Sequence, residues 1–168
     1  MAHRMRDYLI RIVGAAALAG AASLPLSAGV ADPATFKQLE GSWRGGGTVT
    51  PTKGGRERIR CRVTYGIVGS KVTQHINCAG ADYKINVNSN LVIQGNSISG
   101  SWTETTNNYS GGASGSATGN TISVRISGVS FTGTMAIRVS GRSQNVHITR
   151  YDATQKKFVN LANISLRR

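Results

Sequence analysis

The sequence predicts an all-β domain in which about eight to ten antiparallel strands follow one another as an up-and-down meander and close into a barrel. Two observations lead to this fold class. Apolar and polar residues alternate along most of the chain, which is typical of strands with one buried face. Five dipeptides that open with Gly separate these stretches, as in type II′ hairpins: Gly69-Ser70, Gly80-Ala81, Gly95-Asn96, Gly119-Asn120 and Gly141-Arg142.

The first 31 residues are expected to be a cleaved secretory signal peptide. Three Arg form a basic start, an apolar and Ala-rich run covers 12–26, and small residues at 29–31 precede the expected cleavage after Ala31. The run is shorter than the roughly 20 residues of a spanning helix. We therefore expect a periplasmic or secreted protein with a single barrel domain over 32–168.

The charge of the chain favours anionic partners. The formal net charge is +13, and the three Arg and one Asp of the leader reduce it only to +11 for residues 32–168. A basic surface suits anionic lipid, lipopolysaccharide or acidic glycan, and export argues against nucleic acid. Solubility alone is the alternative explanation. The outward positions are Ser, Thr, Asn, Lys and Arg, which argues against a membrane-spanning barrel.

The first hairpin has a well-specified register. With Gly69-Ser70 as the turn, Ile67 faces Val72, and the ladder continues until Cys61 faces Cys78. This pair falls on a non-hydrogen-bonded rung, where side chains approach most closely. Two Cys that meet in an exported protein predict a disulfide.

The later turns extend the pattern. The predicted pairs across them are Cys78 with Tyr83, Ile76 with Ile85, Ile93 with Ile98, Ala117 with Ile122, and Ile137 with Val146. A first strand is expected over 43–50 and a last one over 160–168. The Gly/Ser-rich segment 107–118 resembles a linker in composition, but Ala and Gly alternate there with Ser and Thr, which favours a strand.

The start of the domain carries a family resemblance. A short helical turn is expected over 35–40, followed by Gly41-Ser42-Trp43. This Gly-x-Trp start resembles the calycins, which include lipocalins and fatty-acid-binding proteins. The resemblance implies that Trp43 closes the base of the barrel under a basic residue of the last strand, Arg168 or otherwise Arg167.

The chain is also similar to small exported α-proteobacterial proteins of unassigned function. They share the Gly-Ser-Trp opening, an Arg-Cys-Arg strand at 60–62 and the closing Ser-Leu-Arg at 165–167. This likeness implies no activity.

An arginine stripe is the first candidate binding surface. Alternation places every second residue from 56 to 62 on the outside of one strand, and guanidinium groups bind phosphate and carboxylate bidentately. A solvated outer face, partly balanced by Glu57, is the alternative. The predicted anion- or partner-binding residues are Arg56, Arg58, Arg60, Arg62, Lys71 and His75.

A second candidate site is the inward face. Its larger or more polar members either line a ligand pocket or complete a dry core, and we expect the dry core because most inward aromatic side chains are packing residues. These residues are Tyr65, Gln74, Tyr83, Trp102 and Gln144.

The sequence gives no sign of catalysis. It has few acids and no apparent pair of them for acid–base chemistry, its His residues are isolated, and no nucleophile motif accompanies its Ser residues. We therefore expect a protein without enzyme activity, cofactor or metal, which binds a small amphiphile or an anionic envelope component. The alternative is a protein-interaction module, such as a periplasmic inhibitor or an envelope-assembly factor, with the loops 51–55 and 152–157 as contacts.

Overall fold

The computed structural model describes residues 36–51, 55–129 and 131–168, so the predicted leader lies outside the described residues. Ten antiparallel strands pair in sequence order, and the first also pairs with the last, which closes the barrel. The predicted fold class is therefore confirmed. The strands are β1 Gly41–Val49, β2 Glu57–Val68, β3 Lys71–Ala79, β4 Lys84–Gln94, β5 Ser97–Glu104, β6 Tyr109–Thr118, β7 Thr121–Gly128, β8 Thr132–Ser140, β9 Ser143–Asp152 and β10 Lys157–Arg167.

Four of the five predicted turns are two-residue hairpins with the predicted registers. Their first residue is a Gly with φ between 54° and 58°, while no described residue that follows such a Gly has a positive φ. This combination is the type II′ turn, whose twist matches that of the paired strands. The turns are those at Gly69, Gly95, Gly119 and Gly141.

The fifth turn was predicted wrongly. Cys78 pairs with Ile85 instead of Tyr83, and Ile76 pairs with Val87 instead of Ile85. Residues 80–83 form a longer loop that the Gly80 amide closes by donating to the Tyr83 carbonyl oxygen at 3.0 Å. The observed register differs from the predicted one by two residues. Because side chains alternate with period two, each side chain of these strands still lies on its predicted face.

The Gly/Ser-rich segment is a strand, as predicted. Inward positions of β6 carry Gly111, Ala113, Gly115 and Ala117, and a Cβ on Gly111 or Gly115 would collide with the backbone of β7. The small side chains let the two strands approach closely. They also leave this wall of the barrel thin, with consequences for the interior.

The two ends of the barrel differ. The four tight hairpins, the start of β1 and the end of β10 share one end, which a short helical turn over 36–39 covers. We call it the closed end. The opposite end, which we call the mouth, holds the ends of β1, β3, β5, β7 and β9 and the starts of the strands that follow them, together with the described residues of the longer connections between them.

Candidate functional site

An apolar cavity of about 780 Å³ occupies the interior, so the expectation of a dry core was wrong. The volume lies within the range of small-molecule sites in proteins. It arises because the Val and Ile side chains of a ten-stranded barrel do not reach the axis, while β6 carries only Gly and Ala at its inward positions from 111 to 117. Every strand lines the cavity, including the buried or half-buried Val63, Val72, Leu91, Ile98, Ala113, Val124, Met135, Val146 and Ile164.

The disulfide predicted between Cys61 and Cys78 is confirmed. It joins β2 to β3 on a directly opposed pair, and both residues are buried and line the cavity. The bond therefore cross-links the cavity wall and leaves no free cysteine in the described part of the chain.

The floor of the cavity is sealed at the closed end. Phe36, Leu39 and Leu166 line it and are buried. Trp43 is fully buried, and its Nε1 donates a hydrogen bond of 2.7 Å to the Leu39 carbonyl oxygen. Arg168 covers the outer side of the indole, with 4.9 Å between the guanidinium carbon and the ring centroid.

Two of the predicted pocket residues form a buried polar pair. Gln144 Nε2 donates to the Tyr65 hydroxyl at 2.9 Å, while Gln144 Oε1 has no partner. Burial raises the pKa of Tyr65, and hydrogen bonds from Gln144 and Gln74 oppose this only in part. Tyr65 and Gln74 line the cavity, whereas Gln144 is fully buried outside its lining. The Tyr65 hydroxyl therefore stays protonated and is a polar group in the otherwise apolar floor of the cavity.

Glu104 is a buried carboxylate on the cavity wall near the mouth. Its oxygens accept hydrogen bonds from the backbone amides of Asn86, Thr106 and Asn107 at 2.7–3.2 Å. Burial raises the pKa of Glu104, but these hydrogen bonds outweigh burial and hold the pKa at about 2. The charged carboxylate therefore fastens the loop after β5 to β4, a role that sequence reasoning missed because these contacts are not periodic.

A smaller pocket of about 320 Å³ adjoins the cavity at the mouth. It shares Phe131 and Leu161 with the cavity lining and adds Tyr83 and Arg150. The Tyr83 hydroxyl and Arg150 Nε are both buried without a hydrogen-bond partner. Polar atoms left unpaired in this way cost folding free energy, and here both belong to side chains that line one small space. We call it the mouth pocket.

The charges around the mouth pocket are mixed. Arg150 Nη1 lies 3.7 Å from a carboxylate oxygen of Asp152, a long ion pair. Burial raises the pKa of Tyr83, and the nearby charge of Glu57 raises it further. The Tyr83 hydroxyl is therefore held protonated as a hydrogen-bond donor.

The rim of the cavity is apolar. Val129 is fully exposed at the tip of the loop after β7, and Tyr109 is 55% exposed at the start of β6, yet both line the cavity. Trp102, the remaining predicted pocket residue, also lines the cavity and donates from Nε1 to the Gly112 carbonyl oxygen at 3.1 Å. Its ring meets Phe131 edge-on at 6.4 Å.

The structure places the predicted anion-binding residues in two separate groups. Arg58, Arg60 and Arg62 are exposed on the outside of β2, and Arg56 is exposed just before it. Lys71 and His75 lie on the outside of β3, beyond the far end of this stripe, where His75 Nδ1 lies 2.7 Å from Asn88 Oδ1. Glu57 belongs to the inward alternation of β2 and does not balance the stripe.

Two arginines that the sequence analysis did not assign to the stripe extend it sideways. Arg44 of β1 pairs directly with Arg62 of β2 and with Arg167 of β10, so three exposed arginines stand in one row across three strands. The place of Arg44 and Arg167 beside Arg62 depends on the closure of the barrel, which local sequence patterns do not encode. The basic face, as we call this surface, consists of Arg44, Arg58, Arg60, Arg62 and Arg167.

The described residues contain no group of three or more His, Cys, Asp and Glu side chains that could hold a metal ion. They likewise include no helix with the length and hydrophobicity needed to cross a membrane.

The barrel is similar to two solved structures. The crystal structure of Rv2717c from M. tuberculosis matches with a TM-score of 0.66 and 14% sequence identity, over 82% of this chain and 98% of that chain. The S-type phycobiliprotein lyase CPES from Guillardia theta matches with a TM-score of 0.54 and 12% identity, over 79% of this chain and 90% of that chain. No protein-family model and no curated protein matches the sequence. At these identities the similarity concerns the barrel fold.

Proposed function

We propose that this protein is an exported, non-catalytic barrel that binds an apolar or amphiphilic small molecule of the cell envelope in its interior. The observation that carries the proposal is the apolar cavity of about 780 Å³, sealed at one end and lined at the other by the exposed Tyr109 and Val129. Removal of apolar ligand surface from water supplies the affinity. The disulfide supports export, since such bonds persist in oxidising compartments.

The mouth pocket supports an amphiphile in particular. The Tyr83 hydroxyl and Arg150 Nε lack hydrogen-bond partners. Both belong to side chains that line the pocket next to the cavity, where the polar head of an amphiphile would lie if its apolar part filled the cavity. A few such groups on an otherwise apolar lining fix the orientation of a ligand. The competing interpretation is an enzyme, which the name of the Guillardia theta lyase favours.

Native mass spectrometry of the purified protein, followed by the denatured intact mass, tests the proposal. We expect a small molecule that leaves on denaturation. Ala113→Trp directs an indole into the cavity and should abolish this extra mass, whereas Ser114→Trp places it on the outer face of the same strand and should retain it.

Two outcomes would contradict the proposal. One is a wild-type protein that is purified without a bound molecule and binds none of the fatty acids, fatty alcohols or apolar fluorescent probe with which it is then incubated. The other is turnover of the bound molecule into a released product, which would establish an enzyme instead.

A further inference from the structure

The basic face is not neutralised by the rest of the barrel. All acids within the ten strands, namely Glu57, Glu104 and Asp152, fall in the inward alternation, so the outer faces of the strands carry no Asp or Glu. Among the described residues, no ion pair involves an arginine of the basic face. Within the described residues, its five positive charges therefore have no direct counter-charge.

The arginines of the basic face are aligned in two directions, across the strands and along β2. Across the strands, Arg62, Arg44 and Arg167 are direct neighbours, with Cα atoms about 5 Å apart in such pairs. Along β2, alternate positions bring Arg58 and Arg60 into line with Arg62, at intervals of about 7 Å. Like charges that face each other across a sheet are destabilising. Retaining three in one row is a cost that an anionic partner would offset.

The surface between these arginines is open. Gly46 of β1 lies between Arg60 and Ser165, so no side chain rises from the middle of the face. A Cβ on Gly46 would meet the Ile59 carbonyl oxygen, which ties the absence of a side chain to the close packing of β1 on β2. The guanidinium groups therefore border a shallow area of bare backbone that anionic groups can approach.

The opposite side of the barrel provides a contrast. The outer faces of β5 and β6 carry Ser, Thr and Gly, and no charged residue. The basic charge is thus polarised toward β10, β1 and β2. This arrangement orients the molecule in an electric field, which a uniform distribution added for solubility would not do.

We infer that the basic face docks the barrel on an anionic lipid bilayer. Five guanidinium groups spread over three strands exceed what one small anion contacts, so the partner carries many anionic groups on a broad surface. The choice of a bilayer over a soluble polyanion rests on the proposed function, because an apolar ligand partitions into bilayers and its carrier must meet them. Lipid phosphates also move laterally to meet the arginines.

Vesicle co-sedimentation tests this inference. The protein is residues 32–168, which contain all ten strands of the closed barrel and exclude the apolar leader, which would bind lipid by itself. We expect binding to phosphatidylglycerol vesicles that weakens as salt is raised, and no binding to phosphatidylcholine vesicles. The triple variant Arg44→Ser/Arg62→Ser/Arg167→Ser should bind about a hundredfold more weakly, since each basic residue near such a surface strengthens binding about fivefold.

The matched control removes the same charge elsewhere. Lys84→Ser/Arg125→Ser/Arg138→Ser takes three exposed cations from β4, β7 and β8 and should retain most of the binding. Equal losses in both triple variants would overturn the inference, because net charge would then explain the binding. So would wild-type protein that binds the soluble polyanion heparin more tightly than vesicles. If the serine variant fails to fold, the corresponding triple lysine variant keeps the charge and should retain vesicle binding.

The same samples separate this inference from the proposed function. Native mass spectrometry should find the cavity ligand in both triple variants, since the basic face is on the outside. Ligand without vesicle binding would overturn the docking face alone, and vesicle binding by a permanently empty barrel would overturn the proposed function alone.

Discussion

Arg168, the last residue of the chain, stacks on Trp43 near the start of the first strand, with 4.9 Å between the guanidinium carbon and the indole centroid. The same guanidinium donates from Nη1 to the Glu40 carbonyl oxygen at 2.9 Å. Its backbone carbonyl in turn accepts a hydrogen bond from Arg142 Nε at 2.8 Å. One residue therefore joins the segment before β1, the floor of the cavity and the β8–β9 turn.

Replacing Arg168 by Ala should lower the free energy of unfolding by about 1–2 kcal/mol, because the cation–π contact and the hydrogen bond to Glu40 are both lost. Urea denaturation at neutral pH measures the change. Arg167→Ala is the matched control, since Arg167 is exposed on the basic face without a partner at the floor. Equal destabilisation by the two substitutions would show that the stacking on Trp43 contributes nothing.

The Cys61–Cys78 disulfide should stabilise the barrel by about 3 kcal/mol, because it restricts the unfolded chain between the two residues. Their separation is 17 residues. Urea denaturation of the wild type with and without dithiothreitol measures this contribution. Cys61→Ala/Cys78→Ala should match the reduced wild type approximately and should not respond to dithiothreitol. A wild type whose midpoint is unaffected by complete reduction would contradict the prediction.

Glu104 should make the stability of the barrel depend on acid pH. Its pKa is about 2 in the folded protein against 4.5 for the free side chain, so the stabilisation is complete above 4.5 and is lost as the pH falls through 4.5 toward 2. The full difference sets an upper limit of about 3 kcal/mol on this loss, which solvent screening at the mouth reduces. Urea denaturation at a series of acidic pH values should show this loss in the wild type.

The variant Glu104→Gln removes the charge while retaining the shape of the side chain. It should be less stable than the wild type at neutral pH and should lose less stability on acidification. Glu40→Gln, at an exposed glutamate just before β1, serves as the control for the loss of one carboxylate. Parallel pH profiles for the wild type and Glu104→Gln would mean that another group is responsible.

Local sequence patterns were sufficient to predict most of the strand ladder. The alternation and the turn glycines placed the correct residues opposite each other at Cys61 and Cys78, and at Ile93 and Ile98. They failed at the loop 80–83, because a shift of two residues leaves the inward and outward faces unchanged. The periodicity that identifies strands therefore does not determine the length of this loop.

Other features depend on contacts that local patterns do not encode. The row of Arg62, Arg44 and Arg167 exists only because the first strand meets the last, so it required the closed topology. Whether the inward residues leave a cavity depends on how far apart ten strands hold the opposite walls, which alternation within one strand does not encode. Two of the three backbone amides that donate to Glu104, those of Thr106 and Asn107, belong to the loop after β5, where no sequence period applies.

Tyr83→Phe should have opposite effects on the empty and the occupied barrel. In the empty protein, the Tyr83 hydroxyl is buried without a partner, so its removal should raise the free energy of unfolding by about 1 kcal/mol. With an amphiphile bound, the hydroxyl would donate to the polar head, and its loss should weaken binding about tenfold. Urea denaturation of ligand-free protein and calorimetric titration with a long-chain fatty acid measure the two effects.

Two comparisons identify the hydroxyl as the cause. Tyr109→Phe removes a hydroxyl from the exposed rim and should change neither stability nor affinity appreciably. An alkane of the same chain length offers no acceptor, so its affinity for the wild type and for Tyr83→Phe should be similar. If Tyr83→Phe weakened both ligands equally, the substitution would be acting on the shape of the cavity, and the mouth pocket would not bind the polar head.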